Sequence, residues 1–266
     1  MRENRYATAP KLLLLGVLLF ALAGCGNLGN SELPIPTQTL LGKGEPDQKT
    51  LVIVLPGRRD NVEVMQEYGV AEAIHAGWPE VDVQLTNATL AYYMDGGLAA
   101  RVRSQLLEPA RAAGYQRIIV MGASMGGMGS LIVDQANPGM LDHVVLMAPY
   151  LGERKLLREI ADAGGVLEWQ AGPEPAGVDS DNFERELWRH VQNIGRNPQQ
   201  QARVWLAYGE DDRLASTVPV IAPALDPSHI LPRAGGHKWV VWNAAATEVF
   251  SRLRAVETDR TKTAAK

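Results

Sequence analysis

The sequence predicts an α/β protein built on a mostly parallel central sheet with helices on both faces. Two observations carry this. Short, continuously apolar runs rich in β-branched residues recur after residue 49, the pattern of strands buried on both faces. Stretches with helical spacing alternate with them, and strands separated by helices pair in parallel. The chain has 266 residues, 46% hydrophobic and 21% charged, enough apolar material for one sizeable core. A formal net charge of −4 excludes a generally basic surface, so no nucleic-acid partner is expected.

The N-terminus stands apart from that core. Arg2, Arg5 and Lys11 precede the apolar run LLLLGVLLFALAG, and Cys25 follows it. A basic region and then a short apolar one reads as a secretory signal, and the run falls short of the roughly 20 residues of a spanning helix. Leu22-Ala23-Gly24-Cys25 resembles the lipobox of bacterial lipoprotein signal peptides. The resemblance implies removal of residues 1–24, acylation of Cys25 and attachment to a membrane. A chance cysteine in an ordinary signal peptide is the plainer alternative. Gly26 stands where an aspartate would favour inner-membrane retention in such lipoproteins, which points to the outer membrane, facing the periplasm. Cys25 is the only cysteine, so the chain has no internal disulfide and no other thiol for catalysis. Residues 25–48, rich in Gly, Pro and polar residues, read as a tether.

The core elements follow in order. Leu51–Leu55 is a buried strand, and Asn61–His75 an amphipathic helix. Val81–Leu85 alternates as a strand and ends at Thr86-Asn87. Gly97–Ala113 is helical with a kink expected at Pro109. Arg117–Met121 is a buried strand, and Met125–Ala136 a helix stopped by Asn137-Pro138-Gly139. His143–Met147, Arg203–Ala207 and Ser228–Leu231 are further strands, and Lys238–Val256 closes the core as a helix.

One connection is unusually long, about 50 residues between Tyr150 and Arg203, where a few are usual. It divides the core into residues 49–151 and 201–258, with a helical insertion over 152–200. Glu153–Ala163 is helical up to Gly164-Gly165. Asp181–Ile194 opens with Asp181 and Glu184 in capping-box spacing and stops at Gly195. Phe183, Leu187, Val191 and Ile194 form an apolar stripe that must pack on something. The stripe fits a cap over the active edge of the sheet, or an insertion packed elsewhere on the body.

Gly122-Ala123-Ser124-Met125-Gly126 fits G-x-S-x-G. Its setting, after a buried strand and at the start of a helix, is the one a nucleophile elbow needs. A sharp strand-to-helix turn brings backbones close, so small residues flank the serine. Its Oγ then stands at a helix N-terminus, where free N–H groups favour developing negative charge. No G-K-[ST] follows, so the glycines are not a phosphate loop.

A serine needs a base, and the chain offers five histidines. His75 and His190 lie in helices, His143 at the start of a strand and His229 near the start of the last one. His237 alone follows a strand end, after the flexible Ala234-Gly235-Gly236. The acid comes from Tyr208-Gly209-Glu210-Asp211-Asp212-Arg213, where three adjacent carboxylates leave the choice open.

Elbow, acid turn, histidine loop and alternating elements together resemble the α/β-hydrolase superfamily over nearly all of residues 50–256. The resemblance implies that fold, with the helical insertion as cap. It places the acid on the third residue after Gly209, which is Asp212, with Asp211 as the fallback. It implies a Ser124, Asp212, His237 triad, no cofactor, no metal, and an oxyanion hole from the backbone amides of Arg58 and Met125. Pro56 stands where many members carry a histidine, yet Gly57 is kept and the donor is backbone. The expected reaction is hydrolysis of a small-molecule or lipid-like carboxylic ester through an acyl-enzyme. Thioester hydrolysis, acyl transfer and peptide hydrolysis use the same constellation, and a binding protein without activity is the alternative from another class. Arg59, Tyr92, Tyr93 and Asp95 are candidates for lining the pocket. Arg58 and Arg59 also read as loop arginines facing solvent, the plainer reading, and Asp95 before Gly96-Gly97 reads as a helix cap.

Overall fold

The computed structural model describes residues 28–43 and 49–264. The signal peptide expected over 1–24, Cys25 and residues 44–48 lie outside the described residues. Among the described residues, seven strands form one sheet: β1 (Thr37–Leu40), β2 (Thr50–Leu55), β3 (Asp82–Thr86), β4 (Arg117–Ala123), β5 (His143–Met147), β6 (Val204–Gly209) and β7 (Ile230–Arg233). Their order is β1-β3-β2-β4-β5-β6-β7. β1 pairs antiparallel with β3, and every other pair is parallel.

β-strand alternation explains the two cores. Ile53, Leu55, Val120, Val144 and Leu206 face one apolar layer, while Val52, Val54, Met121, Val145 and Ala207 face the other. Both faces are dry, which is why these strands read as unbroken apolar runs. The helices in chain order are α1 (Val62–Glu67), α2 (Val70–Gly77), α3 (Leu90–Met94), α4 (Leu98–Val102), α5 (Glu108–Ala112), α6 (Met125–Ala136), α7 (Arg154–Asp162), α8 (Phe183–Gly195), α9 (Pro198–Gln201), α10 (Val218–Ile221) and α11 (Trp239–Ala264).

Several expectations change. The helix expected over 61–75 is two helices, broken where Gly69 takes a left-handed φ of 70°. The kink expected at Pro109 is a π-helical turn, Arg103–Leu107, between α4 and α5. Proline lacks the N–H for the bond four residues back and clashes with that carbonyl, and a widened turn accommodates both defects. The last strand lies two residues later than expected, because Pro227–His229 form a 3₁₀ turn. Residues 28–43 of the expected tether are not loose: Thr37–Leu40 pair with β3, and Ile35 is buried.

In the helical insertion, α8 packs on α6 and buries Leu187, Trp188, Val191 and Ile194. Trp188 donates its indole N–H to Leu151 O (2.9 Å), and Gln135 of α6 donates to Glu186 O (3.1 Å). The stripe thus completes the helical layer on one sheet face. The first turn of α8 still reaches the carboxyl edge, where Glu184 accepts from the Glu153 amide (2.9 Å).

Candidate active site

The carboxyl ends of β2, β4, β6 and β7 gather the site, as open parallel sheets do with their ligand positions. Ser124 joins β4 to α6 with φ 54° and ψ −113°, a backbone conformation that L residues rarely adopt. Its amide donates to Met147 O (2.8 Å), and its carbonyl accepts from the amides of Gly127, Met128 and Tyr150. These bonds clamp the strained turn from both sides. The glycines follow from close approach. A Cβ on Gly122 would lie 2.0 Å from Gly126 O, and one on Gly126 would lie 2.3 Å from Leu55 O. The motif is therefore a packing requirement as much as a chemical one.

The histidine and acid meet directly. His237 Nδ1 lies 2.7 Å from Oδ2 and 2.9 Å from Oδ1 of Asp212. A carboxylate only accepts, so Nδ1 carries the proton and Nε2 is left as the basic nitrogen. The Asp212 side chain is fully buried, while Glu210 and Asp211 are exposed. The turn that holds Asp212 is built by Gly209: Asp212 N–H donates to Gly209 O (3.0 Å), and a Cβ on Gly209 would meet Gly235 O at 2.2 Å. The acid turn and the histidine loop therefore pack backbone to backbone.

The other histidines have partners elsewhere. His75 Nε2 bonds Val81 O (3.0 Å), and His190 bonds Asp134 (2.8 Å). His143 bonds Glu257 (2.8 Å), and His229 stacks on Trp205 with centroids 3.7 Å apart. Burial pushes the His229 imidazole down.

Leu55 leads into a tight turn, Gly57–Asp60, closed by Asp60 N–H donating to Gly57 O (3.1 Å). Arg58 and Arg59 are exposed on it. The turn abuts the elbow, since a Cβ on Gly57 would sit 3.6 Å from Ala123 O. Met125 is the first residue of α6, and a helix's first N–H groups have no acceptor within the helix. Met125 thus opens the helix that leaves the elbow, and Gly57, the residue before Arg58, lies against the elbow's Ala123.

Three candidate pocket residues are corrected. Tyr92 is buried, and its hydroxyl donates to the carbonyls of Leu33 and Pro34 (both 3.2 Å). Tyr93 packs its hydroxyl against Gly129 of α6, and burial pushes the phenol up. Asp95 accepts from the Gly97 amide (2.8 Å) and pairs with Arg101 (3.4 Å), which hold its carboxyl below the usual range. It does not cap the next helix as the plainer reading expected: Gly97 holds the N-cap of α4, and Asp95 ends α3 with its side chain turned back onto the Gly97 amide. The sequence showed the edge these residues follow but not where their polar atoms would bond.

Three residues that the sequence left unremarked support the site. Asp60 Oδ2 accepts from the Trp239 indole (3.1 Å) and from the Gly57 amide (3.2 Å). Burial pushes its carboxyl up, opposed by these two bonds and the charge of His237. Trp239 meets Trp242 edge-on at 5.1 Å, and Trp242 meets the His237 ring edge-on at 4.7 Å. A Trp two residues after the histidine was the available signal, but nothing in the sequence tied it to Asp60.

A mostly parallel sheet in this order, flanked by helices and carrying a strained serine between β4 and α6, is the α/β-hydrolase fold. Solved structures share it. Est1E from Butyrivibrio proteoclasticus with bound ferulic acid matches with a TM-score of 0.57 at 11% identity, covering 87% of this chain and 98% of that one. S-formylglutathione hydrolase from Staphylococcus aureus matches at 0.52 and 13%, covering 84% and 83%. A monoacylglycerol lipase from Paleococcus ferrophilus matches at 0.51 and 12%, covering 83% and 99%. No curated protein matches. The family model described as "Putative esterase" matches residues 64–253, and the chain belongs to that family. It is a carboxylesterase-like serine hydrolase.

Proposed function

We propose that Ser124, His237 and Asp212 are the nucleophile, base and orienting acid of an esterase anchored to a bacterial membrane through acylated Cys25. The observation that carries the triad is the buried Asp212 carboxylate on His237 Nδ1, at the sheet edge that presents the strained Ser124. His237 Nε2 takes the Ser124 proton as Oγ attacks the ester carbonyl, and Asp212 stabilises the imidazolium. The amides of Arg58 and Met125 receive the oxyanion. The protonated imidazole then releases the alcohol, and water attacks the acyl-enzyme by the same route in reverse.

The structural neighbours' names mention ferulic acid, S-formylglutathione and monoacylglycerol, so both oxygen esters and thioesters suit this architecture. A screen of acyl esters and thioesters of graded chain length separates them.

Fluorophosphonate labelling tests the nucleophile. Wild type is expected to label and Ser124→Ala to remain unlabelled; equal labelling of the two refutes the assignment. Cys25→Ser is expected to block acylation and leave unprocessed precursor. Normal processing of that variant removes the anchor from the reading.

A further inference from the structure

The chain that follows Cys25 is docked from Leu28 onward. Leu28 O accepts from the Ala91 amide (2.8 Å) and the Thr89 hydroxyl (3.1 Å). The Leu33 and Pro34 carbonyls hold the Tyr92 hydroxyl, and the Ile35 amide donates to Gln105 (2.8 Å). Pro36 O accepts from the Asn87 amide (2.8 Å). Residues 87–92 follow β3 at its carboxyl end, so residues 28–36 form a strap across that edge. β1 then leaves the edge antiparallel to β3.

Ser124 stands on the same edge. β3 and β4 flank β2, so they are two strand spacings, about 10 Å, apart. Only Gly26 and Asn27 separate Cys25 from Leu28, a reach of at most about 11 Å. A free tether to residue 48 would reach roughly 80 Å. The docked strap removes almost all of that freedom.

The strap and α3 expose apolar groups: Leu28 at 47%, Leu33 at 57% and Met94 at 72%. Met94 lies within a turn of Ala91, which holds Leu28. Arg58 is exposed at the end of the neighbouring β2. Glu32, exposed on the strap, offsets one positive charge, and Asp95 is paired with Arg101. Glu210 and Asp211 follow β6, four strand spacings or about 19 Å from β3. Chain length and apolar contact, more than charge, therefore set the docking, with the β6 side tipped toward water.

We infer that the strap holds the carboxyl edge of the sheet against the lipid surface that carries acylated Cys25, so that the enzyme takes its ester substrate from the bilayer. The substrate class is an amphiphilic acyl ester whose carbonyl lies at headgroup depth. The inference rests on the Ser124 and Cys25 readings above and adds orientation and substrate source to them.

The full chain with its anchor, reconstituted in phosphatidylethanolamine/phosphatidylglycerol vesicles, tests it. A flexible Gly-Ser insertion of about 20 residues between Gly26 and Asn27 frees the edge from the surface. Turnover of a vesicle-held long-chain fluorogenic ester is expected to fall about tenfold or more, with a soluble butyrate ester within about twofold of wild type. Unchanged turnover of the vesicle-held ester overturns the inference. A second readout needs no activity. A fluorophore on Met94→Cys is expected to be quenched by nitroxide lipids, and one on Ala113→Cys, exposed before the amino end of β4, is not. Equal quenching refutes the orientation. Mass spectrometry that finds no acyl group on Cys25 also overturns it. Loss of soluble-ester turnover in wild type brings down the hydrolase reading instead, and the quenching contrast still decides the orientation.

Discussion

His237 presents Nδ1 to both oxygens of Asp212, at 2.7 Å and 2.9 Å, while the adjacent Asp211 is exposed. Asp212→Asn offers an amide N–H or a neutral oxygen in place of the carboxylate and favours the wrong imidazole tautomer. It is expected to lower kcat by about 10³–10⁴-fold, whereas Asp211→Asn, a surface change, should stay within about twofold. Steady-state kinetics on one soluble ester decide. Similar mild losses in both variants would show that Asp212 does not orient the base.

Ser124 carries its φ of 54° because the elbow demands it. Such strain costs about 1–3 kcal/mol, and glycine relieves it. Ser124→Gly is therefore expected to raise Tm by about 2–4 °C while abolishing turnover. Calorimetry checks this, and a lowered Tm would mean that the turn is relaxed.

Asp60 joins the turn after β2 to α11 through Gly57 and Trp239. Removing its carboxylate leaves two donors without their acceptor, a penalty of about 1–3 kcal/mol. Asp60→Ala should lower kcat about tenfold or more with KM little changed, because the turn bearing the Arg58 amide loses its brace. Asp60→Asn keeps one acceptor oxygen and should recover part of the loss. A purely structural role predicts lower Tm with kcat intact.

Far from the site, Glu257 ties α11 to the amino ends of β4 and β5. It bonds His143 (2.8 Å) and pairs with Arg117 (2.6 Å). Burial by itself would raise its carboxyl, but the His143 bond and the charges of Arg117, His143 and Arg260 hold it down at about 2. A depressed carboxylate stabilises the fold above its unfolded value of 4.5, and that stability is lost as pH falls from there through about 2. Chemical denaturation across that window should show a decline that Glu257→Gln flattens. The same variant should cost about 3 kcal/mol near neutrality, because it leaves the buried Arg117 charge uncompensated. An unaltered acid slope would place the titration elsewhere.

What could be read from the sequence alone was the part governed by local pattern. The strands buried on both faces, from Leu51–Leu55 to Arg203–Ala207, were legible because two dry faces demand continuous apolar residues. The elbow was legible because Gly122 and Gly126 are the only residues that fit beside Gly126 O and Leu55 O. β1 was not, because Thr37–Leu40 is a largely exposed edge strand with no apolar run, and only its pairing with β3 makes it a strand. The π-helical turn before Pro109 was likewise hidden, since a proline announces a defect but not how the backbone absorbs it.

The sequence by itself determined the α/β-hydrolase class, the serine and the loops that carry histidine and acid, because strand ends and glycine turns are local features. Tertiary structure buried against His237 the carboxylate that the family resemblance had picked, Asp212, and it alone decided that Asp60 braces the turn beside the elbow. It alone sent the Tyr92 hydroxyl to the strap, and docked that strap on the edge that carries Ser124. Those are contacts between segments 25 to 179 residues apart, and nothing in local pattern fixes where a side chain finds its partner across the fold.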